Sequence, residues 1–182
     1  AMTRSFHAVR SGAISASIGI GIMGTAAVKG AEKAGQLEKV YIENKNLMIT
    51  SGEKTAEVIH HVAKMQQDGR DMAIKYGKSQ QEAADGYQEL IKRGYTGAQA
   101  IGSMESIMQA SIASGDSLVE TLHSATGALE GFAMQSKDTD QMAKNTHEVV
   151  NKLAYAADTT ATDFHMMGKS MEYVSSTAHT AG

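Results

Sequence analysis

The sequence has no cysteine, no proline and no tryptophan, and its aromatic residues amount to six Tyr and three Phe. Without cysteine there can be no disulfide framework, no thiolate zinc site and no cysteine nucleophile, a composition that fits a reducing compartment. Without proline the strongest helix breaker is missing, and a chain rich in Ala, Met, Lys, Gln and Glu favours helix almost everywhere. An all-α fold is therefore predicted. The scarcity of aromatics leaves Ala, Ile, Val, Leu and twelve Met to fill the interior, a core that is adaptable rather than sharply keyed. The formal net charge is −3, with no block of five or six like charges. That excludes the basic footprint of a nucleic-acid binding protein, and no specific nucleic-acid site is expected.

The 182 residues suit one domain of ordinary size, or a smaller one with an arm. Ala1-Met2 reads as a scar left by expression. The close on Ser176-Thr-Ala-His-Thr-Ala-Gly182 has no finishing element, so a fragment of a longer protein is expected.

What is abundant is glycine placed as punctuation. Gly77-Lys-Ser79, Gly94-Tyr-Thr96 and Gly115-Asp116-Ser117 each combine a residue able to end a helix in the left-handed conformation with a hydroxyl or carboxylate able to cap the next. Ser79-Gln-Gln-Glu82 and Thr96-Gly-Ala-Gln99 read as capping boxes, and Thr160-Ala-Thr-Asp163 as a variant of that signal. The resulting prediction is about seven helices near 3–49, 53–76, 80–93, 97–114, 117–134, 140–157 and 161–178, with boundaries uncertain by about two to four residues.

Apolar spacing at three and four residues supports them. One stripe is Val58, Val62, Met65, Met72 and Tyr76, and the next is Ala83, Tyr87, Leu90 and Ile91. Later stripes are Leu118, Leu122, Ala125, Leu129 and Phe132, then Met142, Val149, Leu153 and Ala156, then Phe164, Met167, Met171 and Val174. Segment 97–114 has apolar residues on two sides and is expected to be the central, most buried helix. The first segment divides near residue 30 into a Gly/Ala/Ser-rich arm (1–30) and the start of a compact bundle of short helices (31–182).

Several patterns invite a chemical reading. Gly19-Ile-Gly21-Ile-Met-Gly24 is a literal G-x-G-x-x-G, but a dinucleotide turn needs a strand before it and a βαβ unit around it, and no segment reads as a strand. Glu57-Val-Ile-His60 and Glu120-Thr-Leu-His123 resemble the paired E-x-x-H motifs of di-metal bundles, with Glu43 and Glu89 available to complete a set. Helix phase opposes this reading: with Val58 and Val62 inward, Glu57 lies about 100° aside and His60 nearly opposite. His7, His61, His147, His165 and His179 show no ligand spacing, and no serine pairs by sequence with a particular His and acid. No catalytic residue, cofactor or metal is expected, and Met166, Met167 and Met171 are read as core filler rather than a partner groove.

The uncharged run Ser11–Val28 is 18 residues long, near the lower limit of a membrane span, with only six strongly apolar residues. Gly12, Ala16, Gly19 and Met23 form a stripe that allows close helix packing in water or lipid. Self-association through the arm, or contact with a membrane, is the expectation there.

Residues 89–174 resemble the core region of phage tail tape measure proteins. The features that carry this are the Gly94-Tyr-Thr96 turn, Ala113-Ser-Gly115-Asp116, Ala128-Leu-Glu-Gly-Phe132, Ser136-Lys-Asp-Thr-Asp140, Ala157-Asp-Thr-Thr160 and Met171-Glu-Tyr-Val174. The likeness extends more weakly back to about Ala31; the connection at Gly77 is shorter than the family pattern and lacks its proline. The resemblance implies a structural, non-enzymatic virion protein in the lumen of a long tail. Its polypeptide length would set the number of tube rings, and it would leave ahead of the genome. It implies tail tube protein and tail assembly chaperones as partners, host cytoplasm during assembly, and passing contact with the inner membrane. A membrane-active helical protein and a di-metal helical enzyme are the rival readings.

Overall fold

The computed structural model describes residues 28–160 and 162–181, all α-helical apart from short joints. Among these there are seven helices: α1 (Val28–Thr50), α2 (Thr55–Tyr76), α3 (Gln80–Lys92), α4 (Gly97–Ser114), α5 (Leu118–Gly131), α6 (Thr139–Thr159) and α7 (Phe164–Ala181). The arm, with Gly12, Ala16, Gly19, Met23 and the G-x-G-x-x-G, lies outside the described residues.

Short joints reverse the chain each time, so successive helices alternate in direction. Met48, Glu53 and His61 all meet Gly97, which puts the end of α1 and the start of α2 beside the start of α4. Tyr76 reaches Glu105 and Gln109 farther up α4. Ser103 and Thr146, then Ser106 and His147, pair α4 with α6 in parallel. The seven-helix count is odd, so α1 begins at the Ser114 end of the bundle and α7 finishes at the Gly97 end.

The core forms where the predicted stripes converge. Val58, Val62, Met65, Met72, Ala83, Tyr87, Leu90 and Ile91 are buried between α1, α2, α3 and α4. Leu118, Leu122, Ala125, Leu129, Met142, Val149, Leu153 and Phe164 are buried between α4, α5, α6 and α7. A fully buried leucine such as Leu122 contributes about 1.5–3 kcal/mol. Burial also pushes the phenols of Tyr41, Tyr87 and Tyr95 well above their ordinary value, because an anion there would be stripped of water. The Tyr41 hydroxyl donates to the Met65 carbonyl at 3.3 Å.

Two helix pairs approach more closely than leucine-sized side chains permit. On α4 and α6, Gly102 faces Ala143, and the buried Ser103 and Thr146 hydroxyls bond at 3.1 Å. On α5 and α7, a Cβ added to Gly168 would sit 2.3 Å from Ser124 Cβ and 2.9 Å from Ser124 Cα. Gly168 is thus required by the neighbour's backbone.

Three expectations need correction. Segment 97–114 has nine buried residues among 18, but α5 has nine among 14, so α5 is the more deeply enclosed. The reason is that α4 leaves Ile112 and one polar edge to solvent, Ile112 being 41% exposed. Phe132, placed in the inward stripe of the fifth helix, is 43% exposed, because the helix ends at Gly131 and Phe132 belongs to its C-terminal turn. Val174, placed in the inward stripe of α7, is 58% exposed.

Candidate functional site

The joints are built to two patterns. At Gly77 and Gly115, a single glycine at φ 67° and 78° ends the helix, its N–H donating to Ala73 and Ser111 carbonyls. At Gly52 and Gly94 the turn is a fuller Schellman motif. There Tyr95 N–H donates to Leu90 and Gly94 N–H to Ile91, while Gly94 sits at φ 89°, a region an L side chain resists. The α5 end repeats this pattern, Met134 N–H to Leu129 and Ala133 N–H to Glu130, but with alanine at φ 52°.

Each following helix has its cap. Ser79 Oγ accepts from Glu82 N–H at 3.0 Å, yet the reciprocal half of the expected box is missing because Glu82 turns to Lys78 at 3.2 Å. Thr96 and Gln99 form both halves, as do Ser117 and Glu120. The Ser117 hydroxyl and amide together hold the Glu120 carboxyl below its usual range. Asp116 is not the cap of α5: its carbonyl accepts from Ser111 Oγ at 2.9 Å. Thr160 closes α6 instead of opening α7, its hydroxyl donating to Ala156. Asp163 opens α7, accepting from Met166 N–H at 2.6 Å, since its carboxylate is three residues from that amide and Thr160 is not.

Polar contacts stitch α1, α2 and α3 to α4 and α5. Glu53 Oε1 accepts from Gly97 N–H at 2.8 Å, while its Oε2 lies 3.1 Å from His61 Nδ1. Glu105 on α4 accepts from Lys75 Nζ at 2.7 Å and Tyr76 hydroxyl at 2.9 Å. The Lys75 ammonium beside it, then the Tyr76 hydroxyl, draw the Glu105 carboxyl down. Glu89 on α3 meets His123 on α5 at 3.2 Å. Glu53 had no sequence signal as a cap for α4, because a bond across 44 positions leaves no local spacing to read; only its place just after Gly52 marks it as a loop carboxylate.

The E-x-x-H pairs do not converge. Glu57 is exposed beside Lys54, His60 is exposed, Glu120 returns to Ser117, and Glu43 accepts from Gln88. Among the described residues no group of three or more His, Asp or Glu could hold a metal ion, and no helix is long and apolar enough to cross a membrane.

A family described as phage-related minor tail protein matches residues 66–182. The chain belongs to that family. No curated protein sequence and no solved structure matches it. The minor tail protein match opens within α2 and takes in every joint from Gly77 onward and both close-packed helix pairs, leaving α1 and the Glu53 loop before it. Membership makes the protein a component of the phage tail with a structural role.

Proposed function

We propose that this minor tail protein is part of the tape measure, the polypeptide whose length sets the length of the tail tube around it and which departs before the genome. The observation that carries the reading is the run of glycine-closed, hydroxyl-capped joints at 77–79, 94–96 and 115–117 inside the family-matched region. Such joints store a long polypeptide in a short bundle and leave each helix intact when they open.

The arithmetic suits a ruler. At about 1.5 Å per residue, 182 residues would span roughly 270 Å as continuous helix, against about 27 Å for α4 alone. The partners this role calls for are the tail tube protein around it and the chaperones that hold it before assembly, with the bundle opening at least partly inside the lumen. An in-frame deletion of residues 31–178 in the phage is the test, read as tail length by electron microscopy. The tail is expected to shorten by roughly 220 Å if the segment lies as helix along the tube. Tails of unchanged length would end the proposal for this segment.

A further inference from the structure

At the Ser114 end of the bundle, α4 and α6 finish side by side because they run parallel. Neither has a basic residue in its last turn, where Lys or Arg usually offsets the partial negative charge of a helix C-terminus. The last turn of α6 carries Asp158 instead, so a carboxylate sits where helix polarity disfavours it. Asp158 and Asp163 both line a pocket of about 460 Å³.

The pocket combines apolar and acidic lining. Ala113, Ala154 and the buried Phe164 line it with Tyr155, whose residue surface is 72% exposed, together with Asp158 and Asp163. Asp163 spends Oδ1 on the α7 cap. Among the described residues Asp158 has no hydrogen bond or ion pair, and no Lys, Arg or His pairs with either carboxylate. Among the described residues, two helix C-termini and two carboxylates therefore border the pocket, and only the N-terminus of α7, already engaged by Asp163, offsets them.

We propose that this pocket docks an arginine-bearing segment of a partner protein. A guanidinium suits it chemically: its plane stacks on an aromatic ring, its edge offers paired donors to carboxylates, and its methylene stem lies on apolar surface. The volume falls within the range of about 300–1,000 Å³ that encloses a whole small ligand. That is more than one guanidinium fills, so the arginine enters with an apolar neighbour. A phosphate-bearing partner is repelled by the same charges.

The test is an NMR titration of the whole ¹⁵N-labelled chain at low salt with the acetylated peptide Leu-Ala-Arg-Ala-Leu and its citrulline twin, which keeps the shape and loses the charge. The arginine peptide is expected to move the amide signals of Ala113, Ala154 and Thr162 and to bind more tightly than the twin. Asp158→Asn should weaken it by about two- to fivefold, as for a solvent-facing ion pair, with no loss of thermal stability. Ala154→Phe, which fills the pocket, should abolish the shifts. Equal binding of the twin, shifts scattered over other acidic faces, no shifts at millimolar peptide, or an unchanged affinity in Asp158→Asn would each overturn the proposal. Free spermidine binding as tightly at the same signals would overturn the protein partner in favour of a small polyamine.

Discussion

Glu53 accepts the amide hydrogen of Gly97 at 2.8 Å across 44 positions of sequence, so the loop between α1 and α2 closes the first turn of α4. The start of a helix leaves N–H groups unpaired and carries partial positive charge. Thr96 satisfies the Gln99 amide locally, and Glu53 supplies a carboxylate from a different part of the chain. Its side chain is 12% exposed, which makes the bond difficult for water to replace.

Glu53→Ala is expected to lower stability by about 1–3 kcal/mol, because Gly97 N–H and His61 both lose a buried partner. Glu53→Gln keeps an acceptor for Gly97 and should cost less. Urea denaturation of the two variants measures this; an alanine variant as stable as the parent would show that water fills the gap.

Ala133→Gly is expected to stabilise the protein by roughly 1 kcal/mol, since alanine holds φ 52° in the position that Gly94 fills in the matching turn. Gly94→Ala should act in the opposite direction by at least about 1 kcal/mol. A shift of melting temperature upward for the first and downward for the second is the readout.

Gly168→Ala should cost about 1–3 kcal/mol through overpacking against Ser124. The strain falls on Ser124 Cα as well as its side chain, so adding Ser124→Gly should recover only part of the loss. Full recovery in the double variant would mean that the two helices part easily.

The contrast between these sites explains how much of the fold was legible. Gly77, Gly94, Thr96 and the inward residues of α2 and α3 act over three or four positions, the distance at which one helix turn repeats, and their spacing announced the helices. Phe132 misled because a Schellman turn can form on Ala133 at a tolerable cost, with no glycine at that position to mark the earlier stop. The Thr160 stretch held two candidate caps, and only the geometry of the α6 end assigns one to each helix. The Glu53 bond, the parallel pairing of α4 with α6 and the acidic pocket arise from residues tens of positions apart, where periodicity carries no information.

Acid should weaken the bundle through Glu105 and Glu120. Both carboxyls titrate below their usual value near 4.5 in the folded protein. Their contribution is complete above the unfolded value and is lost as pH falls through the lower folded values. Stability followed from pH 6 to pH 3 should therefore decline less steeply in Glu105→Gln and Glu120→Gln than in the parent. Parallel curves would show that these bonds do not persist in solution.

An odd number of alternating helices leaves the two described ends of the chain at opposite poles of the bundle. Tension applied between them runs along the helix axes, so α4 against α6 and α5 against α7 are loaded in shear. Contacts such as that of the Gly168 backbone with Ser124, too close for one helix to ride over the other, must then disengage together. A bundle threaded this way is expected to hold its short form under a gentle pull and to give way at a threshold, as a latch does rather than a spring.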